Sequence, residues 1–404
     1  MLLVNIVGIG PGNPELLTTQ ARKAIAKSNV LIGDKRMLEV YKVDEKKTFA
    51  TIKSSEIESI IKNLDSKKDE VAILVSGDVG FFSLTKVIRN KLENCEVKVH
   101  CGISSLVYFA QRIATSWDDA KIISMHGRNN NLVQTVFTNK KVFSLTGGAN
   151  SVQKLCADLC AHDLGDVKVY VGENLSYENE KITSGTAKEI SEMKFPSLAV
   201  MMIFNENAKD YSHMIHGIED DLFTRSKVPM TKQEVRAISI SKLKPGVHDL
   251  IYDIGAGTGS VSIELALQAR EGKVFAFEKK PLAVELIKLN KTKFGVDNLE
   301  VIEGEASEAI KEMPKPDCVF IGGSGGNLKE MLDTIYAKNS NARIVMNAIT
   351  IETIAEISNY YAKNDNYTIE IVNAFVARSK KLGSYNLMMA QNPVYVVTAL
   401  KKEV

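Results

Sequence analysis

The sequence lacks any long hydrophobic run. No apolar stretch in its 404 residues approaches the roughly 20 residues that a membrane-spanning helix needs. The apolar start, residues 1–7, has no basic flank and no small-residue cleavage site, and it runs directly into glycines. It therefore predicts a β-strand and not a signal peptide, and we expect no membrane partner.

The sequence also has few cysteines and a small net charge. The five cysteines are scattered, and Cys156 and Cys160, which lie four apart on a predicted helix, have His162 as the one nearby third metal ligand. We therefore predict reduced thiols, no bound metal and a cytoplasmic location. The formal net charge is +2, and the sequence has no basic stripe with interleaved aromatic residues. Composition thus does not favour a nucleic-acid partner.

The sequence contains short apolar runs that alternate with predicted helices, which is typical of parallel strands buried on both faces. In the first half these runs are 2–9, 71–75, 97–100, 122–125, 141–145 and 167–171. In the second half they are 249–254, 274–277, 300–302, 318–321 and 342–347. The runs 367–374 and 394–400 predict a closing antiparallel pair. The polar segment 205–229 separates two unlike α/β halves, and we predict domains over 1–207 and 208–404.

A glycine-rich turn stands out in the second half. Gly255, Gly257 and Gly259 follow a strand that ends in Asp253, and a helix begins at residue 260. The Gly-x-Gly-x-Gly spacing differs from the Gly-x-Gly-x-x-Gly of dinucleotide enzymes and suits a cofactor without a pyrophosphate. Glu278 ends the next strand, where an acidic residue can hold ribose hydroxyls. These features predict an S-adenosylmethionine (SAM) site. The alternatives are a turn that only packs and a nicotinamide dinucleotide site.

A second glycine loop, 322–326, follows the strand 318–321. Ligands of open α/β sheets bind outside the carboxyl ends of the strands, so this loop is expected on the same rim as Gly255. We interpret it as a substrate contact, and the alternative is a flexible connector.

The second half also contains the block 228–237 (Val-Pro-Met-Thr-Lys-Gln-Glu-Val-Arg-Ala). This block, together with 253–264 and 321–326, resembles the precorrin C15-methyltransferase (decarboxylating) family, and the resemblance extends from about residue 217 to the end. One departure is Ser307, where the family usually has proline. The resemblance implies a Rossmann-like class I SAM methyltransferase fold. It implies cofactor contacts by Thr231, Gly255, Gly257, Thr258, Gly259, Glu278, Gly304, Glu305 and Ala306. It implies substrate contacts by Arg236, Gly323, Ser324 and Gly325.

Three different small-residue loops follow strands in the first half. They are 8–12, with Pro11 between the glycines, 76–83 and 101–106. No helix opens directly from the third glycine, so the pattern is not a dinucleotide fingerprint. Together the loops predict a cleft lined by backbone.

These loops resemble the tetrapyrrole methylase fold, in which two α/β lobes hold SAM and a macrocycle. The segments 126–128 and 171–182 are similar to its C5-methyltransferase branch, and the resemblance covers about residues 2–204. Val79 and Cys101 stand where proline is common. The resemblance implies cofactor contacts by Gly8, Gly10, Pro11, Gly12, Gly77, Asp78, Ser104 and Ser105. It implies substrate contacts by His126 and Arg128, of which Arg128 can clamp a carboxylate. A turn histidine, a surface arginine and, for Asp78, a helix N-cap are the alternatives.

The implied activity is methylation of a corrin-ring precursor at C5 and C15, with loss of CO2 from the C12 acetate, and one SAM per half. Methyl transfer from a sulfonium mainly requires alignment of two bound molecules. The lack of a Ser-His-Asp or metal-ligand pattern agrees with this, and no catalytic residue is assigned. We expect a tetrapyrrole substrate and a homo-oligomer. The rival readings are an RNA or protein methyltransferase and a SAM-binding regulatory protein.

Overall fold

A computed structural model describes residues 1–41, 46–126, 131–196, 198–209 and 216–402. By internal contacts the chain divides into two compact units. The first consists of Met1–Arg128, Lys140–Ala157 and Gly165–Glu206, and the second of Asn129–Asn139, Asp158–Leu164 and Asn207–Val404. The main division thus falls beside the predicted boundary at 207, but two short pieces of the first half go with the second unit. Whether 1–207 and 208–404 are separate folding domains stays a prediction.

The first unit begins with an all-parallel sheet in the order β3-β2-β4-β1-β5. Its strands are β1 Leu2–Gly8, β2 Val30–Gly33, β3 Lys47–Ala50, β4 Glu70–Val75 and β5 Cys95–His100. The accompanying helices are α1 Thr19–Lys27, α2 Lys35–Tyr41, α3 Ser54–Lys62, α4 Thr85–Arg89 and α5 Ser105–Arg112. The central strands β1 and β4 are buried along nearly their whole length, as their apolar runs predict. The edge strand β5 is half exposed, so it is not buried on both faces as expected.

The second sheet of the first unit is mixed, in the order β6-β7-β10-β8-β9. Its strands are β6 Lys121–Ser124, β7 Lys141–Leu145, β8 Lys168–Glu173, β9 Lys181–Thr186 and β10 Val200–Phe204, and the helices of this stretch are α6 Leu132–Thr138, α7 Val152–Cys160 and α8 Ala187–Ser191. β6 pairs in parallel with β7, whereas β10 runs antiparallel to β7 and β8. The prediction of a parallel strand at 167–171 is therefore wrong. A central antiparallel strand is also covered on both faces, so an unbroken apolar run cannot distinguish the two.

The second unit is built on a seven-stranded sheet in the order β13-β12-β11-β14-β15-β19-β16. The strands of this half are β11 Leu250–Ile254, β12 Lys273–Glu278, β13 Leu299–Glu303, β14 Cys318–Ile321, β15 Arg343–Ala348, β16 Tyr367–Ala374, β17 Ala377–Leu382, β18 Tyr385–Ala390 and β19 Val394–Lys401. Its helices are α9 Gln233–Leu243, α10 Ser260–Gln268, α11 Pro281–Phe294, α12 Ala306–Glu312, α13 Leu328–Lys338 and α14 Ile351–Ala362. The parallel strand order reverses between β11 and β14, and β19 runs antiparallel to β15 and β16. The predicted closing antiparallel pair is confirmed.

The sequence patterns did not predict the hairpin β17–β18. The two strands pair only with each other among the described strands, and large apolar side chains on them are exposed, including Leu382, Tyr385 and Met388. The hairpin has no buried face, so it leaves no alternating apolar pattern for a sequence reading to detect. In the described part of the chain, no helix is long and apolar enough to cross a membrane.

The segment 205–229, predicted as a linker, is in part a structural element of the second unit. Ile218 and Phe223 are buried in its hydrophobic core, and the Asp220 carboxylate accepts a hydrogen bond from the Gln233 backbone N–H at 3.0 Å. A short 3-10 turn occupies Asp220–Leu222. The second unit therefore begins before residue 218. The sequence does not reveal this start, because the buried apolar residues are isolated within a polar segment.

We predict that limited proteolysis of the native chain cuts first between residues 206 and 217. Sites from Ile218 onward have buried anchors, and proteases select exposed backbone with few contacts. Fragments 1–207 and 215–404, expressed separately, should each give a cooperative thermal unfolding transition by circular dichroism. A first cut within 253–278 would contradict the boundary.

Candidate cofactor and substrate sites

A cavity of about 690 Å³ opens in the second unit. It lies at the carboxyl ends of β11, β12 and β14, where the strand order reverses, which is the binding position of open α/β sheets. Most residues predicted to contact cofactor or substrate in this half line the cavity: Thr231, Gly255, Gly257, Glu278, Gly304, Glu305, Ala306, Gly323, Ser324 and Gly325. The two glycine loops therefore share one rim, as the sequence predicts.

The first glycine loop is held against two other backbone segments. Gly255 has a φ of +73°, and a Cβ added there would lie 2.8 Å from the Gly323 carbonyl oxygen. Gly257 has a φ of +58°, and a Cβ there would lie 2.8 Å from the Pro229 carbonyl oxygen. Only glycine meets both constraints without strain, because it has no Cβ and adopts positive φ freely. Main chain from three segments thus forms the wall of the cavity.

Glu278 occupies the position expected of a ribose anchor. It is the last residue of β12 and is 9% exposed. Its Oε2 accepts the Gly257 N–H at 2.9 Å, and its Oε1 accepts the N–H groups of Lys279 and Lys280 at 2.9 and 3.0 Å. A carboxylate offers about four acceptor positions, so the three backbone donors leave one for a ligand hydroxyl. The carboxylate thus orders the glycine loop and keeps capacity for the cofactor.

Thr258 and Gly259 do not line this cavity, and their predicted contact with the cofactor stays a prediction. Thr258 is fully buried, and its carbonyl oxygen accepts a hydrogen bond from the Asn290 amide at 2.9 Å. Gly259 precedes α10 with a φ of +78°, and a Cβ there would lie 3.1 Å from Ile287. These residues turn the chain into α10 and pack that turn against α11.

Asp253 lies beneath the glycine loop and is fully buried. The Ser262 hydroxyl donates a hydrogen bond to its Oδ2. Burial raises the pKa of the Asp253 carboxyl to about 7, because removal from water disfavours the charged form. The carboxyl is fully buried and is not part of the cavity lining.

Arg236 does not bind substrate, contrary to the prediction. It is fully buried, and its Nε donates to Glu264 Oε1 at 2.6 Å. Its Nη1 donates to the Thr231 carbonyl oxygen at 2.6 Å and to Asp220 at 3.3 Å. A guanidinium with these partners cannot reach a ligand in the cavity. Its role is to hold the chain segment that brings Thr231 to the cavity wall.

The first unit contains a separate cavity of about 710 Å³. Of the residues predicted in this half, Pro11, Gly77, Ser105 and His126 line it. The three small-residue loops meet closely, because a Cβ on Gly8 would lie 2.8 Å from both the Gly77 carbonyl oxygen and the Gly102 nitrogen. Gly10 and Gly77 also form an isolated β-bridge. The structure thus brings the three loops together as the sequence predicts.

The other predicted cofactor residues of this half, Gly8, Gly10, Gly12, Asp78 and Ser104, are not among the residues that line this cavity. Asp78 Oδ2 accepts the Gly102 N–H at 3.2 Å, and its Oδ1 accepts the Gly80 N–H at 2.8 Å. The next helix begins only at Thr85, so the alternative reading of Asp78 as an N-cap is wrong. Ser104 is buried and caps α5, accepting the Val107 N–H at 3.2 Å.

Two predicted substrate residues have different outcomes. His126 lines the cavity and packs on Gly147, where an added Cβ would lie 1.9 Å from its Nδ1. Arg128 lies outside the described residues. Arg36 and Tyr177 line the same cavity and were not predicted. Tyr177 falls within the quoted segment 171–182, whereas Arg36 follows Lys35 in a short helix and belongs to no motif.

Family comparisons match the two halves separately. The family described as tetrapyrrole (corrin/porphyrin) methylases matches residues 3–191. The family described as a precorrin methyltransferase domain matches residues 221–401. Among the described residues, no group of three or more His, Cys, Asp or Glu is placed to hold a metal ion. The folds and the sites together define the class of protein, which is a chain with two unlike α/β methyltransferase units.

Comparison with curated proteins identifies the family. The chain is 30% identical over 408 residues to precorrin-6Y C(5,15)-methyltransferase (decarboxylating) of a Sinorhizobium species, covering 98% of this chain and 95% of that one. It therefore belongs to the precorrin-6Y C(5,15)-methyltransferase (decarboxylating) family. It is also 40% identical over 187 residues to a probable cobalt-precorrin-6B C(15)-methyltransferase (decarboxylating) of Pyrobaculum aerophilum, covering 45% of this chain and 95% of that one.

A third relative is a single-activity protein. The chain is 34% identical over 204 residues to a probable cobalt-precorrin-7 C(5)-methyltransferase of Methanocaldococcus jannaschii, covering 49% of this chain and 96% of that one. Proteins named for the C5 and the C15 activity alone thus each match about half of this chain. Methyltransferases of this family use SAM.

We predict that Glu278→Ala weakens binding of SAM by the second unit by roughly 10- to 150-fold, since a hydrogen bond to a charged group contributes about 1.5–3 kcal/mol. Isothermal titration with S-adenosylhomocysteine measures this. Glu303→Ala is the matched control, because Glu303 pairs with Glu278 in register, is exposed and lies outside the described cavity lining. Equal affinities for Glu278→Ala and the native chain would exclude the ribose-anchor role.

Proposed function

We propose that this chain methylates a corrin-ring precursor at C5 and C15 and removes CO2 from its C12 acetate side chain, as a step of cobalamin biosynthesis. The first unit methylates C5, and the second methylates C15 and carries out the decarboxylation. The observation that carries this proposal is the presence of one glycine-walled cavity in each unit. Relatives also support the proposal. One match covers nearly the full chain and is named for both activities, and two matches cover about half of the chain and are each named for one activity.

Each cavity is proposed to hold one SAM. In the second unit, the fit rests on the glycine wall, which leaves no side chain in the space, and on the remaining acceptor capacity of Glu278. In the first unit it rests on the three glycine loops that meet at Gly8, Gly77 and Gly102. Bound SAM supplies an activated methyl group on a sulfonium. The chain then has to bind the cofactor and the substrate, orient them and exclude water.

The second cavity has the composition that alignment of a large anionic ring requires. Gly323, Ser324 and Gly325 offer backbone and hydroxyl groups beside the Gly255 loop, and Lys232 and Lys280 also line the wall. Their charge favours the carboxylate side chains of a tetrapyrrole. The conjugated macrocycle can itself accept the electron pair released when CO2 leaves, so the chain need not provide an electron sink.

The alternative function is methylation of RNA or protein, which both folds accommodate by analogy. A net charge of +2 without a basic stripe argues against an RNA substrate. Two binding assays separate the two functions. Absorbance detects binding of a tetrapyrrole, and a filter assay detects binding of RNA. A SAM-binding regulatory protein would bind neither.

We also propose that the chain assembles as a homo-oligomer. The support is the exposed apolar hairpin β17–β18, which presents Leu382, Tyr385 and Met388 to solvent. Contiguous exposed apolar groups of this kind mark interaction surfaces. The cytoplasmic location expected from the scattered cysteines stays a prediction.

Two independent SAM sites per chain are expected. Calorimetry with S-adenosylhomocysteine should give about two sites on the native chain, since the two cavities belong to different units with unlike loops. Glu278→Ala should remove or weaken one of them and retain the other. A one-site isotherm on fully folded native chain would count against the proposal.

Product mass tests which unit performs which reaction. Native chain incubated with radiolabelled SAM and the ring-reduced precorrin should yield a product with two added methyl groups and one CO2 lost. With Glu278→Ala at limiting SAM, the product should lack both the C15 methyl group and the CO2 loss. Loss of C5 methylation with C15 methylation retained would reverse the assignment of the units.

A further inference from the structure

The first-unit cavity has a single Lys or Arg among its described lining residues, which is Arg36. Arg36 lies in the first turn of α2 and is exposed, and its backbone N–H donates to Asp34 Oδ1 at 3.0 Å. The rest of the described lining is mainly apolar side chains, hydroxyls and backbone, together with His126 and the Asp34 carboxylate. A polycarboxylate that enters this cavity therefore meets its fixed positive charge at Arg36.

An aromatic ring positions this guanidinium. The Arg36 Cζ lies over the Tyr177 ring, 5.4 Å from its centroid, which is within the range of a cation–π interaction. Among the described residues the guanidinium forms no hydrogen bond or ion pair besides this contact, so its N–H donors remain available to an anion. A planar group held in this way suits bidentate binding of a carboxylate.

The Tyr177 ring is itself fixed. A Cβ on Gly12 would lie 2.3 Å from its Cζ, so the ring packs directly on the glycine loop. The preceding Ser176 has a φ of +71°, and its Oγ accepts the Asn13 N–H at 3.0 Å while its own N–H donates to Glu180 Oε2 at 2.7 Å. A non-glycine residue in this conformation is strained and persists because its surroundings hold it, which is typical of functional loops.

We propose that Arg36 binds a carboxylate side chain of the tetrapyrrole and orients the ring for methylation by the first unit, with Tyr177 as the residue that positions it. The proposal rests on the proposed function, because it takes the substrate to be a macrocycle with acetate and propionate side chains. The Gly12 contact of Tyr177 places this carboxylate site next to the glycine loop of the same cavity.

The kinetic test compares variants of the full chain in C5 methylation. Arg36→Gln should raise the KM for the precorrin roughly 5- to 30-fold with kcat changed less than about 2-fold, as expected for loss of about 1–2 kcal/mol of ground-state binding. Tyr177→Leu, which removes the ring, should shift KM in the same direction. Tyr177→Phe, which keeps the ring, should restore KM to within about 3-fold of the native value. Arg89→Gln, an exposed arginine outside the cavity lining, is the matched control.

A binding test uses uroporphyrin and its methyl ester, followed by absorbance. The native chain should bind the acid more tightly than the ester, and Arg36→Gln should weaken binding of the acid alone. An equal loss for both probes would identify a structural defect and overturn the proposal, as would a native KM for Arg36→Gln. If the native chain makes no C5-methylated product, the proposed function fails, and the difference between acid and ester still decides the role of Arg36.

Discussion

The second unit depends on the buried ion pair between Arg236 and Glu264. Neither side chain is exposed, and their Nε and Oε1 atoms are 2.6 Å apart. The Glu264 oxygens also accept the N–H groups of Gly217 and Ile218 at 2.9 and 3.0 Å, while Arg236 donates to the Thr231 carbonyl oxygen. One charge pair therefore joins α9, α10 and the segment that leads into the cavity. Loss of either partner would leave an uncompensated buried charge, which is strongly destabilising.

This constraint gives the block 228–237 two roles. Its first residues line the cavity, and its single arginine, Arg236, holds them to the core. A motif match records that a residue is required but does not distinguish binding from folding. Arg236 was therefore read as a substrate residue, and only its burial and its partners reveal the structural role.

Sequence patterns predicted most of the strands and the position of both cavities. Apolar runs with flanking glycines placed β1, β4, β11 and β14, because such runs report burial directly. The antiparallel environment of β8 was not predicted, because its neighbour β9 is not an apolar run and its other partner, β10, lies about 30 residues further along the chain. The exposed hairpin β17–β18 has no apolar period, and the lone Arg36 has no motif. The hairpin became visible only in the structure, and Arg36 became visible only where the fold brings it to Tyr177.

The close approach of the glycine loops also limits how these sites can change over evolutionary time. A Cβ on Gly8 would meet the backbone of Gly77 and Gly102, and a Cβ on Gly255 would meet the backbone of Gly323. Main-chain atoms cannot be exchanged for smaller ones, so no second substitution in a facing residue can relieve the clash. Each of these positions should therefore remain glycine independently of the facing residue, without covariation between the two. A substitution at one of these glycines should have few suppressor mutations among the neighbouring residues. Where two residues touch only through side chains, a second substitution can still compensate for the first.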